Sequence, residues 1–143
     1  MTPMTYNAYA RSAASEDISK DRLLIMLYDG AIKFLHLAAR GIKEKRHDLK
    51  GHYISKVMAI ITELTTALDM ERGGEISANL ASLYTYMIKR LTEANMKSDV
   101  EAVEEVERLL TEIRDGFSEA ARSLKQPAPA RRPAETGGVR VAI

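Results

Sequence analysis

Leu23, Leu24, Leu27, Ala31, Phe34, Leu35, Ala38 and Ile42 recur at steps of three and four residues, the spacing that lines up one face of an α-helix. This pattern predicts a helix from about Lys20 to Arg46. Ser19 stands where an N-cap would, Asp21 falls in the first turn, and Lys43, Lys45 and Arg46 close the far end; this charge order suits the helix dipole. Three further stripes follow. Ile54, Val57, Met58, Ile61, Leu64 and Leu68 predict a helix over about Asp48–Met70. Ile76, Leu80, Leu83, Tyr84, Met87 and Leu91 predict one over about Glu75–Met96. Val103, Val106, Leu110, Ile113, Phe117 and Ala121 predict one over about Asp99–Leu124. Ser98 and Glu101 have the Ser-x-x-Glu spacing of a capping box at the start of that last helix.

The four prolines are Pro3, Pro127, Pro129 and Pro133, so nothing between residues 4 and 126 interrupts helical hydrogen bonding. Glu71-Arg72-Gly73-Gly74 is expected to join helices two and three, with Gly73 taking the left-handed conformation that ends a helix. Lys97-Ser98 is expected to join helices three and four. Short links between long helices impose antiparallel neighbours. The expected fold is all-α: an antiparallel up-down-up-down four-helix bundle over residues 18–125. Residues 1–17 lack large aliphatics but hold Tyr6 and Tyr9, and read as a mobile N-terminal segment. Residues 126–143, QPAPARRPAETGGVRVAI, bring too little apolar surface to offset the entropy of ordering them and read as a disordered C-terminal tail.

A length of 143 residues is enough for one domain with its own core. The chain has no cysteine, which excludes disulfides, thiolate metal sites and thiol nucleophiles. No stretch approaches the ~18 consecutive apolar residues of a membrane span, and the polar N-terminus lacks the pattern of a secretory signal. A cytoplasmic protein without stable membrane insertion is expected. The net charge is +1. From Lys125 onward the chain has four basic residues and one acidic, leaving the body slightly acidic. That balance speaks against nucleic acid as the partner, because affinity for it comes mostly from neutralising phosphates.

Candidate chemistry is sparse. Glu44 and His47 have the Glu-x-x-His spacing of di-iron bundles, but no second copy exists and the pair sits at a helix end among Lys43, Lys45 and Arg46. Gly73-Gly74 lacks the following Lys-Ser/Thr of a phosphate-binding loop. Helix four carries eight carboxylates and three arginines, and beside an intact apolar stripe they read as its solvated face. No catalytic residue, metal ligand or cofactor is expected. What stands out is surplus apolar surface. Leu23 to Tyr28 is a continuous apolar run, and Tyr84, Tyr86, Met87 and Ile88 cannot share one helix face. A thick core accounts for this, and so does a groove for an amphipathic partner helix.

Leu68-Asp69-Met70-Glu71-Arg72-Gly73-Gly74-Glu75-Ile76, followed by Asn79-Leu80, Leu83-Tyr84, Tyr86-Met87, Arg90-Leu91 and Glu93-Ala94-Asn95, closely resembles the signature of the flagellar secretion chaperone family, FliS. Met26-Leu27-Tyr28-Asp29-Gly30-Ala31 resembles that family's helix-one motif. Glu104-Glu105-Val106 with Leu109-Leu110 resembles its helix four, and Tyr6 and Tyr9 sit where the family has an aromatic N-terminal segment. The resemblance spans about residues 4–124. It implies a non-enzymatic helical bundle that binds the disordered C-terminal segment of newly made flagellin in the cytoplasm. It further implies that the bundle prevents premature polymerisation and assists delivery to the flagellar export gate, with an N-terminal segment that covers part of the groove in the free protein. Two departures are visible: Lys20 follows Ser19 where the family often has proline, and the tail after Gln126 has no counterpart.

On this reading the partner-binding residues are Ile25, Tyr28, Leu80, Tyr84, Met87 and Leu91, with Tyr6 and Tyr9 as a mobile cover. A place in the core accounts for each of them equally well. A bundle whose extra apolar surface makes a homodimer, and a di-iron enzyme built on Glu44 and His47, are the competing readings from other classes.

Overall fold

All four apolar stripes become helices in the computed structural model, which describes residues 19–125. Helix α1 spans Lys20–Lys43, α2 His47–Thr66, α3 Met70–Lys97 and α4 Val100–Lys125. Each helix packs against its two neighbours in the order α1, α2, α3, α4 and back to α1, with α1–α3 and α2–α4 as the diagonals. This is the expected antiparallel up-down-up-down bundle. Packing is closest around α1 and loosest around α3. The domain edges at residues 1–17 and 126–143 lie outside the described residues.

Local chemistry sets the helix ends and corrects three boundaries. Ser19 caps α1 as expected, its hydroxyl accepting from the Arg22 amide at 3.2 Å. The far end stops at Lys43, three residues short of Arg46. Lys45 takes a left-handed backbone (φ 58°), its amide reaches the Ile42 carbonyl at 3.1 Å, and the Arg46 amide reaches Gly41 at 2.8 Å. This paired closure turns the chain without a glycine. Helix α2 ends at Thr66, and α3 begins at Met70, because Asp69 caps α3: its carboxylate accepts from the Glu71 and Arg72 amides at 3.2 and 2.9 Å. Glu71-Arg72-Gly73 thus lies in the first turn of α3, and Ala67-Leu68-Asp69 is the link. The residue with positive φ is Gly74 (φ 51°, ψ −126°), where α3 kinks; Gly73 beside it is buried.

The Ser98–Glu101 capping box does not form. Asp99 takes the capping role, accepting from the Glu101 and Ala102 amides at 3.0 and 3.3 Å. Ser98 ends α3 in a left-handed conformation (φ 53°), and its hydroxyl accepts from the Lys50 ammonium at 2.9 Å. A carboxylate in the adjacent position is an equally good cap, and the left-handed turn out of α3 uses up Ser98.

The core draws on every helix. Leu27, Tyr28, Ala31, Leu35 and Ala38 of α1 meet Ile54, Val57, Ile61 and Leu64 of α2, Tyr84, Met87, Leu91 and Ala94 of α3, and Ala102, Val103, Val106 and Leu110 of α4, all buried. Small residues let α1 and α2 pass closely: a Cβ on Gly41 would stand 2.9 Å from the Lys50 amide nitrogen. Polar clamps fix the register of α1 on α4. Asp29 meets Arg114 at 2.8 Å, His36 meets Glu107 at 2.7 Å and Lys43 meets Glu104 at 3.2 Å. The α1 partners rise in number as the α4 partners fall, as antiparallel neighbours require.

Candidate partner-binding surface

Helix α3 begins with a kinked turn that fixes where its first apolar residues go. Ser77 is fully buried, and its hydroxyl donates to the Asp69 carbonyl at 3.0 Å, tying the helix to the link before it. Past the kink, Ile76, Leu80 and Leu83 follow at helical spacing, and all three are half-buried. On α4, Leu109, Ile113 and Phe117 are half-buried as well. The α3–α4 register is anchored by Glu105, which accepts from the Tyr86 hydroxyl and the Arg90 Nε, both at 2.7 Å. Counting outward from that anchor sets Leu83 level with Leu109, Leu80 with Ile113, and Ile76 with Phe117. The two rows form an apolar seam along half of the α3–α4 layer. In the other half Met87, Leu91 and Ala94 face Ala102, Val103 and Val106, and all six are at 0 % exposure.

Beneath the seam lies a pair of tyrosines. The Tyr28 and Tyr84 hydroxyls hydrogen-bond to each other across the α1–α3 diagonal, and the Tyr28 ring lies 5.4 Å from that of Phe117, centroid to centroid. Burial pushes the Tyr84 phenol up to about 12, and it pushes Tyr28 higher still, with the neighbouring Tyr84 adding to the effect. Each phenol is therefore neutral, and each satisfies the other. No buried side-chain polar atom among the described residues lacks a partner. At the rim, the Tyr86 and Arg90 hydrogen bonds hold the Glu105 carboxyl below the usual carboxylate range.

The expected binding residues divide into three groups. Tyr6 and Tyr9 lie outside the described residues. Ile25 and Leu80 are half-buried, with Leu80 in the seam and Ile25 one turn before the Asp29 that clamps α4. Tyr28, Tyr84, Met87 and Leu91 are at 2 % exposure or less and form the floor and the sealed continuation of the seam. Ile76, Leu83, Leu109, Ile113 and Phe117 complete the half-buried rows. Their signal in the sequence is register: folding an α3–α4 hairpin at residues 98–99 sets them opposite one another.

The chemistry outside the seam is that of a solvated surface. Glu44 and His47 are both exposed and lie on opposite sides of the α1–α2 turn, so their spacing is not that of one helix face. Among the described residues no three His, Cys, Asp or Glu side chains gather closely enough to hold a metal ion, and no helix is long and apolar enough to cross a membrane.

A family model described as flagellar protein FliS matches residues 2–124. The flagellar secretion chaperone FliS of Salmonella typhimurium is 40% identical over 116 residues, covering 78% of this chain and 86% of that protein. The flagellar secretion chaperone FliSB of Pseudomonas aeruginosa is 38% identical over 112 residues, covering 78% and 89%. The FliS of Bacillus subtilis is 36% identical over 118 residues, covering 82% and 86%. With a family match over residues 2–124 and relatives up to 40% identical over most of their length, this protein belongs to the FliS family of flagellar secretion chaperones.

Proposed function

We propose that the protein binds the C-terminal segment of flagellin in the cytoplasm, keeps flagellin from polymerising early, and assists its delivery to the flagellar type III export apparatus. The observation that carries this reading is the half-buried seam of Ile76, Leu80 and Leu83 against Leu109, Ile113 and Phe117 in a member of a secretion-chaperone family. An amphipathic segment that lays its apolar face on such a seam removes that surface from water, at about 25 cal/mol per Å². Ordering a disordered client offsets part of that gain, which keeps the complex releasable for export.

Ile25 and Leu80 are the direct contacts among the residues singled out by sequence. Tyr28, Tyr84, Met87 and Leu91 act from beneath, holding α3 against the bundle so that the seam keeps its shape. Tyr6 and Tyr9 serve as a mobile cover over only part of the groove, the part that Ile25 lines on α1. The protein does this by binding alone and without a cofactor.

Calorimetric titration with intact flagellin, and with flagellin lacking its C-terminal segment, tests the reading. The expected result is a one-to-one complex that is lost on truncation. Absence of binding to intact flagellin, or equal binding to both, overturns it. Leu80→Asp and Ile113→Asp, each at a half-buried position, are expected to weaken the complex at least tenfold.

A further inference from the structure

Helix α4 ends at Lys125, at the same end of the bundle as the half-buried seam. The chain then runs on for residues 126–143, carrying three arginines (Arg131, Arg132, Arg140) against one glutamate (Glu135). It finishes Val139-Arg140-Val141-Ala142-Ile143, in which every second residue is a branched aliphatic, the pattern that gives an extended segment one apolar face. The rim of the seam has the opposite charge. Glu71, Glu75, Glu112 and Glu119 are exposed beside it and outnumber the exposed cations Arg72 and Arg122, while Arg114 is taken up by Asp29 and Asp115. Reach is sufficient. Leu109 lies about 24 Å back along α4 from Lys125, and the chain from Lys125 to Val139 spans up to about 46 Å when extended. Pro127, Pro129 and Pro133 favour an extended spacer, and Gly137-Gly138 stand just before the apolar end.

We propose that residues 126–143 fold back onto their own bundle and lay Val139, Val141 and Ile143 on the α3–α4 seam, with the arginines over its acidic rim. The tail is a built-in competitor that covers the seam until a client displaces it. Other occupants fit less well. Residues 1–17 carry one arginine against one glutamate and one aspartate, the wrong balance for an acidic rim. A second copy of the chain would bring its own acidic rim to the same place.

The docking stands independently of the client; the competition rests on the proposed flagellin binding. Both are tested with the full chain and one tail variant, Val139→Asp/Val141→Asp/Ile143→Asp, whose substitutions replace none of the core residues of the four helices. Nuclear magnetic resonance spectra of the variant are expected to shift at Leu80, Ile113 and Phe117 and to stay unchanged at Leu91 and Val106, at every protein concentration. Spectra identical outside residues 126–143 overturn the docking. So do seam shifts in the parent chain that grow with concentration, which identify a second copy as occupant. Seam shifts produced by Tyr6→Ala/Tyr9→Ala in place of the tail variant identify the N-terminal segment and overturn it as well. If the tail competes, the variant binds flagellin three- to tenfold more tightly, and equal affinity overturns the competition. Failure of both chains to bind flagellin removes the proposed function, while the spectra still decide whether the tail docks.

Discussion

The α3–α4 layer has two unlike halves. Next to the α3–α4 turn, Met87, Leu91 and Ala94 close against Ala102, Val103 and Val106 with nothing exposed. Next to the kink at Gly74, Ile76, Leu80 and Leu83 stand against Leu109, Ile113 and Phe117, all half-buried. Hydrophobicity is not the difference, for the half-buried rows carry the larger side chains. The difference lies in what draws the helices together. In the sealed half, alanines permit a close approach, and Tyr86 and Arg90 clamp Glu105 across the gap. Among the described residues no ion pair or side-chain hydrogen bond joins α3 to α4 in the other half. A bundle built in this way stores its stability at one end and keeps apolar surface available at the other, as a protein that must hold and release a client requires.

The largest expected effect tests that division directly. Leu91→Ala removes a fully buried side chain from the sealed half and is expected to cost about 2–5 kcal/mol. Leu80→Ala, on the same helix but in the seam, is expected to cost about 1 kcal/mol, because its side chain is already part-solvated and less surface is lost. Urea unfolding of both variants measures the two values. Equal costs would mean that the seam is core and that the halves are alike.

The helices were legible because their signals are local. A proline-free interval and apolar residues at steps of three and four suffice for four helices, and short links suffice for their antiparallel order. The errors fell where two neighbouring residues offer the same chemistry. Asp99 rather than Ser98 caps α4, and Gly74 rather than Gly73 takes the positive φ. The site was legible only in part. Periodicity marks Tyr28 and Tyr84 as apolar-face residues with polar tips, which suits a groove as well as a core. Their mutual hydrogen bond, between residues 56 apart in sequence, decides for the core, and no local pattern carries that information. The half-buried rows depend on how far α3 stands from α4, which the stripes themselves do not encode.

The tyrosine pair lies where the seam meets the core, and it is the next test. Tyr28→Phe leaves the Tyr84 hydroxyl buried without its partner, an expected cost of about 1–3 kcal/mol. The Tyr28→Phe/Tyr84→Phe double variant recovers part of this, since it removes both polar groups. The pair also sets a pH limit. An unfolded tyrosine ionises near pH 10, whereas the folded Tyr84 keeps its proton to about 12. Above pH 10 the unfolded chain binds fewer protons than the folded one, so stability falls as pH rises. The slope is on the order of 1.4 kcal/mol per pH unit for each tyrosine. Unfolding followed from pH 8 to 11 is expected to show this slope in the parent chain and a shallower one in the double variant, where Tyr86, raised by its hydrogen bond to Glu105, still contributes. A parent curve flat above pH 10 would show that the phenols are not buried as a pair.

The smallest effects come from two glycines that feel the packing difference most directly. Gly41 sits where α1 turns into α2, and an added methyl would meet the Lys50 amide nitrogen at 2.9 Å and the Leu49 side chain at 3.1 Å. Backbone cannot step aside there, so the strain of overpacking exceeds the gain in helix propensity, and Gly41→Ala is expected to cost about 1–2 kcal/mol. Gly116 lies in α4 beside Phe117, in the half-buried half, with nothing within 4 Å of an added Cβ. Gly116→Ala meets no neighbour and gains the propensity alone, an expected stabilisation of about 0.5–1 kcal/mol. Opposite signs for the same substitution, read from thermal midpoints, would confirm that one end of the bundle is packed to contact and the other is open. The same sign at both positions would put the looseness of the seam in doubt.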